Sequence, residues 1–411
     1  MEQFFKHPQT LSRLREGPLG PYLDAFIQQL CEQGYARYSA RLQLRLVADF
    51  SRWLTQQGLT VHELIPEHTT YYLRYRAQQQ RPRSGDAAAL ERLLDLLRRA
   101  GAIAEPPVPL AKTPAQQYTD EFGLYLRQER ALASTTVTYY LEFVRRFLRD
   151  RFADGPVALA ALGAADVIGF VQRQAAGLPP KRTQRLTTAR RSVFHDAHDR
   201  GAVLLDLTAA VPTVAHWSMA SLPRSLPPDH VARVFAQCNR QTAIGRRDYA
   251  ILLLLARLGL RAGEVVSLQL EDIDWDAGCV TVRGKGGHWS QMPLPIEVGE
   301  AIATYLQQGR PACASRRVFI RQKAPLIGFA NSIAICTLVA RALVRAGVEA
   351  PSKGAHLFRH TLATTMLQQG ASLAEIGELL RHQSLQTTTI YAKVDLAALR
   401  TLAAPWPGGV Q

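Results

Sequence analysis

Cysteine is scarce in this chain, and its spacing argues against two kinds of cross-linked protein. The 411 residues include five cysteines, and no two of them form a C-x-x-C pair. A structural zinc site needs closely spaced ligands, and a disulfide framework is typical of small secreted domains. We therefore expect free thiols in a reducing compartment and no bound metal.

Long apolar runs are also missing. No stretch of ~18 apolar residues, the length of a membrane-spanning helix, occurs in the sequence. The opening MEQFFKHPQTLSRLREG lacks the apolar core of a signal peptide. These two observations predict a cytoplasmic protein with no membrane partner.

Acidic residues are outnumbered. The chain has 34 Asp and Glu against 49 Lys and Arg, which gives a net charge of +15. Such an excess is typical of proteins that bind a polyanion, most often nucleic acid. A basic enzyme without a nucleic-acid partner remains the alternative on composition alone.

Two proline-rich stretches without helical periodicity divide the chain, at 104–116 and 211–230. Proline clusters of this kind favour linkers. Hydrophobic residues make up 47% of the chain, enough for more than one core. We expect a helical domain at 17–104, a second helical domain at 113–212 and a third domain at 223–403.

The first two segments resemble each other. Each opens with two apolar stripes at helical spacing, for example Phe26, Leu30 and Phe50 in the first and Phe122, Leu126 and Val144 in the second. Each is predicted to contain four short helices, which indicates an internal duplication. The alternative is that any two amphipathic helical bundles look alike at this level.

Basic residues crowd one part of the second segment, PPKRTQRLTTARR, around the expected start of a helix capped by Thr183 or a neighbour. A helix start with nearby cations favours contacts with DNA phosphates. A solvated charged face is the alternative. The predicted DNA-binding residues are Lys181, Arg182, Arg185, Arg190 and Arg191.

The third segment mixes helices with a little sheet. CVTVRGKGGHWSQMPLP alternates around a glycine-rich break, a pattern that predicts a β-hairpin, and RRVFI predicts a short strand. The remaining segments have helical patterns. The expected fold class is therefore mainly α with a small β-sheet.

Six side chains of the third segment form a chemically unusual set. Two guanidinium groups, an ammonium, two imidazoles and a phenol occur without an acidic cluster that would hold a divalent metal. Paired arginine forks instead suit the charge of a phosphodiester. His356 and Arg359, spaced i and i+3, are expected on one helix face. The set is Arg261, Lys285, His356, Arg359, His382 and Tyr391.

These residues lie in motifs that resemble the tyrosine recombinase, or phage integrase, family. The motifs are GLRAGEV, a lysine in a glycine-flanked hairpin turn, HLFRH, LLRHQS and TTTIYAKVD, in that order. The resemblance is dense over 223–400 and weaker over 115–212, which is similar to the helical core-binding domain of that family. It implies one or two core-binding domains followed by a catalytic domain.

The resemblance implies a role for each residue. Tyr391 is the nucleophile that forms a 3′-phosphotyrosyl bond, while Arg261 and Arg359 hold the phosphoryl oxygens. Lys285 protonates the leaving 5′ oxygen. His356 acts in acid–base exchange with the tyrosine, and His382 hydrogen-bonds the phosphate.

Three positions in or near these motifs are not among the six proposed reacting residues. Arg381 stands where many members of the family have glycine, a departure that bears on packing near His382. His360, beside Arg359, is interpreted as a helix-packing residue outside the site. Glu264 is expected to orient its neighbours.

The resemblance also implies partners. These are double-stranded DNA with a specific recombination site, three further copies of the chain in a tetramer on DNA, and accessory recombinases. The expected role is to serve a mobile element. No cofactor is implied. Two alternatives stay open: a type IB topoisomerase, which would relax plasmid lacking the site, and a DNA-binding relic without activity, which would form no covalent adduct.

Overall fold

The computed structural model describes residues 4–5, 7–104, 112–153, 155–175, 177, 180–201, 203, 205–211, 222–284, 287–395 and 399–400. The described residues before 107 and after 220 form one compact unit, and those between form a second. The expected domain boundaries fall on linkers that lie largely outside the described residues, so they stay predictions.

The first part of the chain is an all-helical segment. Phe26, Leu30, Phe50 and Leu54 are fully buried in its core, as their helical spacing predicts. Its helices are α1 Pro8–Leu14, α2 Leu23–Glu32, α3 Arg37–Gln56, α4 Pro66–Gln79 and α5 Asp86–Arg99.

The described residues of the second unit include the α-helices α6 Pro114–Gln128, α7 Ser134–Phe152, α8 Ala164–Ala175 and α9 Pro180–Asp199. Phe147 meets Phe170 and Phe194 edge to face at its centre. The expectation that Thr183 caps α9 is wrong. The helix begins at Pro180, a residue that suits a first helical position, so Thr183 is buried inside the helix.

The last part of the chain surrounds α11, whose apolar run is buried on every side. A helix that is apolar all round belongs in the middle of a core. Its helices are α10 Pro228–Ala236, α11 Ala243–Arg257, α12 Ala262–Ser267, α13 Ile296–Gln308, α14 Ser332–Arg345, α15 His356–Gln368 and α16 Leu373–Leu379, followed by 3-10 turns at Leu385–Thr387 and Thr389–Val394.

A three-stranded antiparallel sheet lies in this part, in the order β1 Ile273–Asp274, β2 Cys279–Arg283, β3 Trp289–Pro293. Val280 pairs with Met292 and both are buried, as is Val282, so the alternation that predicted the hairpin also directs its apolar face to the core. The expected fold class, mainly α with a small sheet, is confirmed.

The strand expected at RRVFI is absent from the described residues. Only isolated bridges occur there, between Gln269 and Arg317 and between Ile320 and Gly328. Val318, Phe319 and Ile320 are buried one after another. A strand at a sheet surface buries alternate residues, so this segment runs through the core instead.

The first helical segment docks onto the last part of the chain. The amide of Leu326 donates to the carbonyl of Gln33 at 2.9 Å. Gly34 follows with φ +75°, and the Leu326 side chain occupies the space where a Cβ at Gly34 would lie. A residue with a side chain would be both strained and obstructed there, so the contact requires glycine.

Candidate active site

Most of the predicted site lies on three elements of the last part of the chain. Arg261 lies just before α12, His356 and Arg359 lie in the first turn of α15, and Tyr391 lies in the 3-10 turn Thr389–Val394. His382 follows α16. Lys285 follows β2 in the sequence and lies outside the described residues.

Arg261 is held by the buried carboxylate of Glu264. Glu264 accepts from the backbone amide of Arg261 at 2.8 Å and from its guanidinium at 2.7 Å. The first contact is the return half of a capping box at the start of α12. The Arg261 side chain is still 29% exposed, so the carboxylate fixes its direction without removing it from solvent. Glu264 orients Arg261, as the sequence predicts.

Arg359 is the most deeply buried cation of the site, at 4% exposure. Its guanidinium donates to the carbonyls of Gly259 and Leu380 and so joins the α11–α12 turn to the end of α16. Burial, followed by the nearby charges of Arg261 and Arg381, lowers the pKa of Arg359 to about 10. The side chain therefore remains cationic at neutral pH.

Arg381 brings a third guanidinium to the same place. Its backbone has φ +54°, in the left-handed region that favours glycine, the residue that the family resemblance leads us to expect at this position. The strain of a non-glycine residue there is about 1 kcal/mol. The side chain is 10% exposed and pairs with Glu264 at 2.9 Å, so one buried carboxylate serves both Arg261 and Arg381.

His382 lies beside these arginines. Its Nδ1 is 2.7 Å from the hydroxyl of the fully buried Thr388. Burial is the main cause that lowers the pKa of His382 to about 4, and Arg359 and Arg261 lower it further. The ring is therefore neutral at neutral pH and suited to hydrogen bonding.

Tyr391 is almost fully buried, at 1% exposure. Its phenolic oxygen lies 2.9 Å from Nδ1 of His360. Burial raises the pKa of the phenol to about 12, against the lowering effect of Arg359. Tyr391 therefore carries its proton at neutral pH.

His360 is the residue that sequence reasoning left out of this arrangement. The interpretation of His360 as a packing residue is incomplete, because its ring nitrogen contacts the predicted nucleophile. His356 lies one turn earlier, with 6.5 Å between the two imidazole centroids. The only signal in the sequence is the second histidine of HLFRH, whose partner lies 31 residues further along the chain.

Three arginines lie close to one buried carboxylate. Arg261 and Arg381 pair with Glu264, and the nearby Arg359 donates to main-chain carbonyls. Arg261 and Arg381 line a cavity of about 1170 Å³ together with His382, Glu375 and Glu378. In the described part of the chain, no group of three or more His, Cys, Asp or Glu side chains could hold a metal ion. The three fixed cations around Glu264 favour the binding of an anion.

The predicted DNA-binding cluster of the second unit is described only in part. The side chains of Lys181, Arg182, Arg185 and Arg190 lie outside the described part of the structure. Arg191 is half-buried and donates to the carbonyl of Val211 at 3.1 Å. This contact ties α9 to the end of the unit.

Comparison with known proteins gives this arrangement a family. The model of the phage integrase family matches residues 224–397. The protein y4rA of Sinorhizobium fredii, which carries an integrase/recombinase name, is 49% identical over all of this chain and all of its own. The tyrosine recombinase XerD of Mycobacterium tuberculosis is 31% identical over 69% of this chain and 94% of its own.

The chain belongs to the tyrosine recombinase family. The resemblance found in the motifs is thereby confirmed, as is the interpretation of the chain as a site-specific recombinase. The solved structure of the recombinase XerH bound to its difH substrate covers 74% of this chain and 99% of its own, with a TM-score of 0.54 and 17% identity. At that identity it supports the fold alone.

No helix in the described ranges has the length and apolar character needed to cross a bilayer. All five cysteines are among the described residues, and all five are free thiols.

Proposed function

We propose that this recombinase cuts double-stranded DNA at a specific site through Tyr391 and rejoins it through the same residue. The observation that carries the proposal is the position of the Tyr391 phenol near Arg359, in a cluster with Arg261 and Arg381, which share the carboxylate of Glu264. The charge of these arginines attracts a phosphodiester to the phenol, which is a nearby nucleophile.

The chemistry balances without an external energy source. The phenolic oxygen of Tyr391 attacks the scissile phosphorus, a 3′-phosphotyrosyl bond forms and the bond to the 5′ oxygen breaks. Arg261 and Arg359 stabilise the charge on the non-bridging oxygens. Lys285 gives a proton to the departing oxygen. Attack by a 5′ hydroxyl reverses the step and restores Tyr391.

His356 and His382 complete the proposed site. His356, at the first position of α15, takes part in proton exchange around the tyrosine. His382 is neutral because of its lowered pKa and donates a hydrogen bond to a phosphate oxygen. Both roles come from the positions of these residues in the family motifs and from their place in the cluster.

Cleavage is expected to continue in excess EDTA. The charges of Arg261, Arg359 and Lys285 take the place that a metal ion holds in other phosphoryl-transfer sites. The measurement is single-turnover cleavage of a suicide substrate, with the covalent adduct resolved on a denaturing gel. An equal yield with and without EDTA is the expected result. A loss of adduct that magnesium restores would contradict the proposed site.

DNA contacts are proposed for both helical segments. In the second unit they come from the cluster Lys181, Arg182, Arg185, Arg190 and Arg191. In the first segment, arginines proposed as phosphate contacts lie on α3 and before α5. Arg52 pairs with Asp49, so its charge is already partly matched. The proposed contacts are Arg37, Arg41, Arg45, Arg52, Arg81 and Arg83. Of these six, Arg41 and Arg52 are partly buried, and Arg37, Arg45, Arg81 and Arg83 are exposed.

Glutamine at these four exposed positions is expected to weaken DNA binding and flatten its salt dependence. Each phosphate contact that is lost reduces the slope of log affinity against log salt by roughly 0.9. Affinity is measured across a salt series in the full chain. The matched control is Arg15→Gln, because Arg15 pairs with Asp24 at 2.8 Å in the same segment.

An unchanged slope accompanied by a loss of recombination would show that the first segment binds a protein partner instead. The control variant should keep the wild-type slope in either case.

The working assembly is proposed to be a homotetramer on two DNA duplexes in the cytoplasm, with accessory recombinases as further partners. Exchange of two duplexes breaks four strands, which needs four tyrosines. Support for a mobile element comes from the relative y4rA, whose name includes integrase. The apolar tail is proposed to dock on a neighbouring protomer through Leu396, Leu399, Leu402 and Trp406. Leu399 is exposed, and the other three lie outside the described residues.

A further inference from the structure

His360 has a position that the family motifs do not assign. It follows Arg359 on α15, and its Nδ1 lies 2.9 Å from the Tyr391 phenol, the hydroxyl that the proposed function makes the nucleophile. The two ring centroids are 5.7 Å apart. At this distance a proton passes directly between the two groups, with no intervening water.

We propose that His360 is the general base that takes the phenolic proton when Tyr391 attacks the scissile phosphate. The inference rests on the proposed role of Tyr391. In the forward step the phenolic oxygen bonds to phosphorus, its proton moves to Nδ1 of His360, and Lys285 protonates the departing 5′ oxygen. In the reverse step a 5′ hydroxyl gives its proton to Lys285 as it attacks phosphorus, the bond to the phenolic oxygen breaks, and His360 returns its proton to the phenol.

The surroundings of His360 suit a base. Burial, followed by His356 and Arg359, lowers its pKa below the ordinary value, so the ring is neutral at neutral pH and able to accept a proton. The phenol, in contrast, is held in its protonated form by burial. The titratable and charged groups that face His360 are His356 and Arg359 on its own helix, His382 after α16, and Tyr391.

The geometry also distinguishes His360 from His356, the histidine to which the family motifs give the acid–base role. His356 is the residue expected to exchange a proton with the tyrosine. The direct contact to the hydroxyl is made by His360, so this inference gives His360 the proton exchange that the family motifs give to His356. The two histidines therefore have different expected effects on cleavage.

The test compares His360→Asn and His360→Phe with the wild-type full chain in single-turnover cleavage. The asparagine amide can keep a hydrogen bond to the phenol but cannot take its proton. Both variants are expected to bind DNA normally and to cleave about 100-fold to 1000-fold more slowly. The wild-type rate should fall as the pH drops through the lowered pKa of His360, and this acid limb should be missing in the variants.

A substrate with sulfur in place of the 5′ bridging oxygen shows which proton transfer is slow in a variant, the one from the phenol or the one to the 5′ oxygen. A thiolate leaves without protonation, so this substrate should restore cleavage by Lys285→Ala and leave the His360 variants slow. Wild-type rate and pH profile in His360→Asn would overturn the proposal, since a positioning hydrogen bond alone would then suffice.

A measurement on the unmodified protein guards against a variant that fails to fold. Nitrogen-15 NMR of labelled histidines should show Nδ1 of His360 unprotonated and Nε2 protonated at neutral pH. A proton on Nδ1 would overturn the base assignment. If the wild-type adduct forms on a residue other than Tyr391, the proposed function itself fails, which is a separate outcome.

Discussion

Replacing Tyr391 with phenylalanine abolishes covalent attachment to DNA and leaves DNA affinity unchanged. Only the phenolic oxygen is removed, and the arginines that hold the phosphate remain. The lost hydrogen bond to His360 costs about 1 kcal/mol of folding free energy, too little to unfold the chain. The measurement is the yield of adduct that survives denaturation on a suicide substrate, with affinity measured in parallel.

The matched control is Tyr305→Phe. Tyr305 is also fully buried, and its hydroxyl accepts from the amide of Ile320 at 3.1 Å, away from the site. This variant loses stability because a buried amide is left without its partner, but it should still form the adduct. An adduct with Tyr391→Phe would refute the assignment of the nucleophile.

Replacing Arg359 with alanine is expected to damage both catalysis and stability. Cleavage should fall by about 100-fold or more, because a guanidinium that stabilises the transferring phosphoryl group is removed. The carbonyls of Gly259 and Leu380 would also lose their buried donors, at a cost of about 2–5 kcal/mol. The measurements are single-turnover cleavage and the free energy of unfolding in denaturant.

Two further variants separate these effects. Arg359→Lys keeps the charge but not the planar fork, so it should recover part of the stability and little of the cleavage. Arg257→Ala removes an exposed arginine that pairs with Glu297 and should change neither. Wild-type cleavage by Arg359→Ala would contradict the proposed phosphate clamp.

The parts of the fold that follow from local pattern were predictable from the sequence. The hairpin at β2 and β3 follows from alternation around glycines, and the helices follow from apolar spacing. Two predictions were wrong: the cap of α9 at Thr183 and the strand at RRVFI. The helix begins at Pro180 rather than after Thr183, and the RRVFI segment buries three consecutive residues in the core.

The parts of the site that depend on distant contacts were not predictable. His360 meets Tyr391 only because a 3-10 turn after α16 brings the phenol back to α15. The pairing of Arg381 with Glu264 spans 117 residues and needs a left-handed backbone at Arg381. The docking of the first helical segment depends on Gly34 and Leu326, residues that no motif connects.

Mapping the covalent adduct by mass spectrometry tests most directly whether Tyr391 is the nucleophile. The wild-type chain is incubated with a suicide substrate in EDTA, the DNA is trimmed with nuclease, and the peptide that carries the nucleotide is sequenced. We predict one modified residue, Tyr391, joined to a 3′ phosphate. A nucleotide on another residue, a 5′ linkage, or cleavage with no protein-bound nucleotide would contradict it.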